Sequence, residues 1–442
     1  MNARDRTGPR LSRLAAGSAL VLAASVAACA SPATIPASVV PSVAPTDATP
    51  SVAPTDATPS ELATAPPASQ EWVAVAPLRT DRTGFDAAVL GDGSVLVVGD
   101  DRDCEPGGAI AGSERAERYD GSADAWSDVD SLNKPRKSFA TVTLADGSAM
   151  VLGGVNSDDV PFSSTKVFSA ATGTWDSGPL MTVARAAPFA VTLRNGRVLV
   201  VSVLDPVRSI ATSEVYDPST GSWGQEAALP KRVLWLHALV ALGDGSALAM
   251  GWSDEPDAID STHPSAFAYD GPAGHWREVD APFLQATPAL VTLPDGSVLA
   301  IGGNDGGELL GGTGGPSRRV SRFDPARLTW QPLADMPTER DQAQVALLGD
   351  GRVVVAGGVA SGGDYDGTIV GSTDLYDPAT DSWTAGPDLR EPRRGGHAVV
   401  LDDGSVLVLG GNASFNTEGE VPWCPEPLSG VERFVPATLP LD

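Results

Sequence analysis

An all-β fold is predicted, a seven-bladed β-propeller closed by its own N-terminal strand, and three features of the 442-residue chain predict it. The first is a Gly-containing turn between apolar runs, which occurs seven times: Asp92-Gly93, Asp146-Gly147, Asn195-Gly196, Asp244-Gly245, Asp295-Gly296, Asp350-Gly351 and Asp403-Gly404. Asp-Gly and Asn-Gly accept the positive φ angles of tight hairpins, so two-residue turns are expected. The second is an aromatic residue followed seven positions later by Trp: Tyr119 and Trp126, Phe168 and Trp175, Tyr216 and Trp223, Tyr269 and Trp276, Phe323 and Trp330, Tyr376 and Trp383. A further aromatic, Phe434, has no Trp after it. The third is Trp72, which has no aromatic before it yet precedes Asp92 by 20 residues, as the other six Trp precede their turns by 19 to 21. Trp72 thus supplies what Phe434 lacks. The first strand of the domain is expected to complete the last blade, which removes the open sheet edges that invite aggregation.

The residues ahead of the repeats are not part of that fold. Arg4, Arg6, Arg10 and Arg13 precede a short apolar run over 14–28 that ends in small residues, the pattern of an export signal rather than a membrane span. The run closes on "VAAC", which resembles the bacterial lipobox and makes Cys29 the expected lipidated residue. Residues 29–70 are rich in Pro, Ala, Thr and Ser, with "SVAPTDATP" twice in succession. Such a segment buries too little apolar area to offset its chain entropy, and is expected to be a disordered, semi-rigid tether. The expected organisation is a signal peptide over 1–28, the tether over 29–70 and the propeller over 71–438, with residues 71–76 completing blade 7. The net charge is −26, and loss of the leader, with four Arg against one Asp, makes the remainder more acidic by three charges. That surface repels phosphate backbones, so no nucleic-acid partner is expected. The expected location is the outer face of a bacterial cell membrane, with the membrane itself as one partner through the lipid anchor.

Within the repeats, runs such as "HAVVL" and "SVLVLGG" are apolar almost without alternation, as in strands covered on both faces. The turn glycine, the "VLVLGG" ending of the second strand and the "YDP.T..W" phrase together resemble the kelch repeat, from residue 71 to about 436. Gly-Gly stands at 153–154, 302–303, 357–358 and 410–411, but Gly99-Asp100, Ser202-Val203 and Gly251-Trp252 replace it in blades 1, 3 and 4. The resemblance extends to the galactose oxidase-like superfamily, whose copper centre needs two His, two Tyr and a Cys cross-linked to one Tyr. This chain has His237, His263, His275 and His397, and four of its five Tyr fill the repeated aromatic slot. Copper-radical chemistry is not expected, and neither a metal site nor any other cofactor is predicted.

Only one interval varies strongly between repeats. From the Gly-Gly slot to the aromatic the steps are 19, 14, 13, 17, 20, 18 and 23 residues. These are the loops joining the second and third strands (b and c), and variable loops on a rigid scaffold are where function gathers. The b–c face is therefore the expected working face, with blades 7, 5 and 1 most prominent. Cys104 and Cys424 fall in the b–c loops of blades 1 and 7, adjacent once the ring closes, and an exported compartment favours a disulfide between them. Free thiols are the alternative; two Cys without a nearby His make a poor zinc site. Arg82, Arg136, Arg185, Arg340 and Arg393 each stand ten residues after a blade Trp. Repetition places them at one channel mouth, as a broken ring able to pair with a carboxylate or sulfate, or as internal links between blades. His397 and His237 open first strands near the axis, as core residues or ligands. An aromatic cluster of Trp252, Trp423, Phe415 and Tyr365 is expected on the working face, and Asp100, Asp101, Asp103, Asp364 and Asp366 are solvated acids or calcium ligands. "GGNDGGELLGGTGG" and "SSTK" lack the partner motifs of a phosphate loop or an acyl-transfer site. The leading expectation is a non-catalytic binding propeller for protein or glycan. The alternative is a carbohydrate-acting enzyme of the cell envelope that uses the arginines and loop carboxylates.

Overall fold

The computed structural model describes residues 70–82, 84–99, 103–104, 110–205, 210–224, 227–253, 263–282, 287–304, 315–361, 367–414 and 427–436. Seven antiparallel sheets of four main strands, a to d, follow one another around a ring. Blade 1 has strands a Asp86–Val89, b Val95–Val98, c Ala116–Asp120 and d Ala125–Asp128. Blades 2, 5 and 6 occupy residues 140–177, 289–332 and 344–385 on the same plan. Strand a of each blade touches strand a of the next, and that of blade 7 touches that of blade 1. The seven-bladed propeller expected from the repeats is the observed fold.

The ring closes as the Trp spacing requires. Blade 7 has strands a His397–Val400, b Val406–Leu409 and c Val431–Val435, and its fourth strand is Glu71–Val75 from the start of the domain. Trp72 pairs with Phe434, their ring centroids 5.1 Å apart, and its indole Nε1 donates to Thr373 Oγ1 of blade 6 at 3.0 Å. The same tilted aromatic pair recurs in the other six blades at 4.9–5.4 Å.

The unbroken apolar runs have a simple cause. There is one hydrophobic cluster for each blade-to-blade interface. Val95 and Val97 of strand b pack toward blade 7, while Leu96 and Val98 pack toward blade 2. A strand sandwiched in this way needs apolar side chains on both faces.

The turns differ from expectation by one residue. Leu90 N donates to Ser94 O at 2.8 Å and Gly93 N to Leu90 O at 2.9 Å, so the loop is Gly91-Asp92-Gly93. Positive φ falls on the closing glycine alone, at 76–88° in the seven turns. The Asp92 carboxylate accepts from Ser94 N at 3.1 Å and so stabilises the turn from its side chain.

Candidate functional site at the channel mouth

The start of strand a, the end of strand b and the b–c loops lie together at one mouth of the channel. Gly-Gly decides what happens there. In blade 2 Gly153 and Gly154 take φ of 60° and 83°, strand b stops at Leu152, and the chain turns inward to pair Val155 with Lys137. Blade 3 has Ser202-Val203 and blade 4 Gly251-Trp252 at this point, and their strands run on. Blade 3 has Val198–Asp205 paired with Ile210–Asp217, and blade 4 has Ala247–Ser253 between Val233–Ala241 and His263–Asp270. Two long hairpins therefore rise on this face. Residues 100–102 and 105–109, 305–314 and 415–426 of the b–c loops of blades 1, 5 and 7 that the sequence singled out fall outside the described residues, as do Trp423, Phe415, Tyr365, Cys424, Cys29, Asp100, Asp101, Asp364 and Asp366. Of the expected disulfide, only the backbone of Cys104 is described, paired with Ile110.

The five repeated arginines are buried, and four of them are paired with the chain's own carboxylates. All are at most 1 % exposed. Arg185 donates from Nε and Nη2 to Glu214 Oε1 at 3.2 and 3.0 Å, and from Nη1 to Thr212 O at 2.8 Å. Arg82 pairs with Glu117 at 2.5 Å, Arg340 with Asp374 at 2.8 Å and Arg393 with Glu432 at 2.9 Å. These four carboxylates all lie on strand c of the arginine's own blade, so the ion pairs run within blades, not between them. The arginine also ties the mouth together. Its Nη1 donates to the carbonyl of the first residue of the Gly-Gly slot in blades 1, 2, 6 and 7 at 2.5–2.9 Å. Its own carbonyl accepts from the second glycine of the preceding blade, as Gly154 N does to Arg185 O at 2.9 Å. The enzyme reading, which relied on these groups, loses the four that are paired. The signal that could have revealed the pairing is the acid two residues before the blade aromatic, at 117, 214, 374 and 432.

Trp252 is also corrected. It is 0 % exposed beneath the blade 4 hairpin, in register with Trp235, and it is Trp235 that reaches solvent, at 43 %. Strand a is irregular at this point, its register with strand b shifting between Val233 and Trp235 and again between Leu236 and Ala238.

What the mouth does gather is a polar belt over blades 5, 6, 7, 1 and 2. Thr287 Oγ1 donates to Asp341 Oδ1 at 3.1 Å, and Arg394 Nη1 reaches Gln342 Oε1 at 3.4 Å. Gln344 Nε2 donates to Gly395 O. His397 Nε2 lies 2.7 Å from Phe85 O; a carbonyl only accepts, so Nε2 carries the proton. The other nitrogen, Nδ1, is 3.7 Å from Asp86 Oδ1, and Asp86 Oδ2 accepts from Thr141 N at 2.6 Å. Desolvation pushes the Asp86 carboxyl up to about 7 and holds the His397 imidazole near 4. Asp341 is raised by desolvation as well. Most of these groups bond across a blade boundary to main chain, which makes them links of the inner ring. His397 is accordingly a hydrogen-bonded core residue.

Among the described residues no three His, Cys, Asp or Glu come together as a metal set. His237, His263 and His275 belong to blade 4 and His397 to blade 7. Tyr119, Tyr216, Tyr269 and Tyr376 are each stacked on a blade Trp, with Tyr119 and Tyr376 hydroxyls bonded to Asp124 and Asp381. Among the described residues, these His and Tyr do not come together as a copper centre of two His and two Tyr.

Comparison with known proteins supports the fold and bears on function only in outline. The Kelch motif family matches residues 286–337 and 345–390. Kelch-like protein 35 of Mus musculus is 27 % identical over 277 residues, 62 % of this chain and 43 % of that protein. Kelch-like protein 36 of Bos taurus is 28 % identical over 342 residues, 75 % of this chain and 44 % of that protein. Galactose oxidase of Gibberella zeae is 25 % identical over 219 residues, 48 % of this chain and 30 % of that protein. Each match spans less than half of the relative's own length. The solved structure of a fungal alcohol oxidase of the AA5 family, in complex with copper, superposes with a TM-score of 0.60 at 20 % identity, covering 83 % of this chain and 76 % of that one. At that identity the likeness is one of fold. The domain is a propeller carrying kelch motifs, an architecture suited to scaffolds that bind other molecules.

Proposed function

We propose that the protein is a binding scaffold whose b–c face docks a protein ligand, with a glycan as the other ligand class. The observation that carries this reading is the pair of raised hairpins on blades 3 and 4 with Trp235 in solvent, while four of the five arginines beside the channel are bonded to the chain's own carboxylates. A half-exposed Trp on a rigid rim is the kind of side chain that anchors an interface. We place this scaffold outside the cell, tethered by residues 29–70 and a lipid on Cys29, on the strength of the leader and lipobox alone. The full-length protein, immobilised, is challenged with envelope extract and with a glycan array. Trp235→Ala should lose at least ten-fold in capture at unchanged Tm, whereas Arg352→Ala, on the opposite face, should keep it. Equal capture by wild type and Trp235→Ala, or loss with Arg352→Ala alone, would place the ligand elsewhere. Cys29→Ser should move the protein from the membrane fraction to the soluble one; continued membrane retention removes the anchor.

A further inference from the structure

Blade 2 breaks the arginine rule in one respect. Blades 1, 3, 6 and 7 have both the buried arginine and the strand c acid. Blades 4 and 5 have no arginine at the position, and carry Phe267 and Ser321 where the acid would be. Blade 2 keeps Arg136 but has Lys166 in the acid's place. Arg136 is 0 % exposed, and the strand c position opposite it offers no carboxylate. Nη1 donates to Gly153 O at 2.9 Å, Nη2 reaches Ser164 Oγ at 3.3 Å, and the Phe162 ring covers the guanidinium at 4.9 Å from its centroid. Nε is buried and has no acceptor. Lys166 turns its ammonium outward to Ser177 Oγ at 3.2 Å.

The missing group is defined by the other blades. There a carboxylate sits against Nη2 of the arginine, in blades 1, 3 and 6 against Nε as well, and Glu214 and Glu432 also accept from main-chain N–H groups two and three residues before the arginine. Glu214 accepts from Thr182 N at 2.7 Å and Val183 N at 3.3 Å, and Glu432 from Arg390 N at 2.7 Å and Glu391 N at 3.2 Å. In blade 2 the corresponding residues are Asn133 and Lys134, both exposed, so the slot borders solvent. Desolvation without a compensating anion lowers the Arg136 pKa to about 10. A buried, uncompensated guanidinium is costly, and a bound anion relieves that cost.

We propose that blade 2 is an exchangeable carboxylate site, in which Arg136 Nε and Nη2 bind a small carboxylate from solution where four other blades use their own Glu or Asp. Lys166, at the entrance, adds a second positive charge. Such a site takes a small carboxylate because Nε and Nη2 converge on one oxygen, as they do in blades 1, 3 and 6, and leave the second oxygen to main-chain N–H groups.

The test is thermal unfolding of the purified full-length protein in increasing sodium acetate, with chloride replaced so that ionic strength stays fixed. The wild-type Tm should rise saturably, by roughly 2 °C at ten times the acetate Kd. Lys166→Glu, which returns an internal carboxylate to the slot, should start from a higher Tm and lose most of the acetate response. Lys166→Gln should keep it and Arg136→Met abolish it; if Arg136→Met does not fold, the two Lys166 variants decide. A wild-type Tm indifferent to acetate, an equal response to chloride, or a full acetate response in Lys166→Glu overturns the proposal.

Discussion

Asp86 and His397 meet where blade 1 joins blade 7, and they respond to pH in opposite senses. Buried Asp86 keeps a proton in the folded protein up to about pH 7 that the unfolded chain releases near pH 4. Its stabilising contribution is therefore complete below pH 4 and is lost as the pH rises to 7. The imidazoles of His397 and His237, neutral down to about pH 4 when folded, take up a proton near pH 6.5 when unfolded. They cost stability as the pH falls from 6.5 to 4, so the two effects oppose each other in the wild type. Asp86→Asn removes only the first. The wild-type protein should lose on the order of 3 kcal/mol relative to Asp86→Asn between pH 4 and 7, as read by urea unfolding at each pH. A difference independent of pH would show that Asp86 is ionised in the fold. How such residues act was only partly legible. The positions of the arginines followed from spacing, because the period of a blade is written along the chain. Their burial did not, because the acid that neutralises four of them lies on a strand 29 to 39 residues away. Removing either partner of such a pair leaves a buried charge and costs about 3–5 kcal/mol, although the intact pair adds little net stability.

At the scale of the element, glycine has two separate jobs in each blade, and substitution should tell them apart. In the a–b turn Gly245 has φ of 88° and nothing within 4 Å of an added Cβ. At the mouth Gly154 has φ of 83°, and its Cβ would lie 2.7 Å from Lys137 O and 2.9 Å from Phe139 Cβ. Gly245→Ala meets only backbone strain, about 1 kcal/mol. Gly154→Ala meets strain and a collision with main chain, and should cost about 2–4 kcal/mol by chemical unfolding. Equal costs would mean that the mouth can shift to admit a methyl group. The same comparison explains a feature of the rim that loop length does not signal: blades 3 and 4, with intervals of only 13 and 17 residues, extend as paired strands because they lack the Gly-Gly that ends strand b in blades 2, 5, 6 and 7. The departures from Gly-Gly were visible in the sequence. Their consequence, a buried Trp252 beneath an exposed Trp235, depends on the register between strands a and b, which spacing alone does not give.

For the whole molecule the decisive contact joins the two ends of the domain. The Phe434 side chain and Val406 and Val408 of blade 7 pack with Trp72 against Ala346, Val354 and Leu375 of blade 6. Arg390 Nε also donates to Trp72 O at 3.2 Å. Closure on this scale carries an entropic cost that grows only logarithmically with loop length, so one well-packed strand is enough to hold the ring. A chain lacking residues 1–75 keeps every other strand of the propeller but leaves Val431–Val435 as an open edge beside an uncovered apolar surface. It should aggregate or dimerise through that edge, as read by size-exclusion chromatography with light scattering. A peptide of residues 70–76 added in trans should restore the monomer, and the same peptide with Trp72→Ala should not, because the indole supplies the buried area, the ring contact with Phe434 and the bond to Thr373. In the intact chain Trp72→Ala should cost about 3–5 kcal/mol. A truncated chain that stays monomeric with an unchanged Tm would mean that blade 7 is stable with three strands and that the ring is held by strand a contacts alone. The peptide arm then separates the two sources of stability, because edge pairing responds to any strand of suitable sequence while the interface between blades 6 and 7 responds only to one that carries the indole.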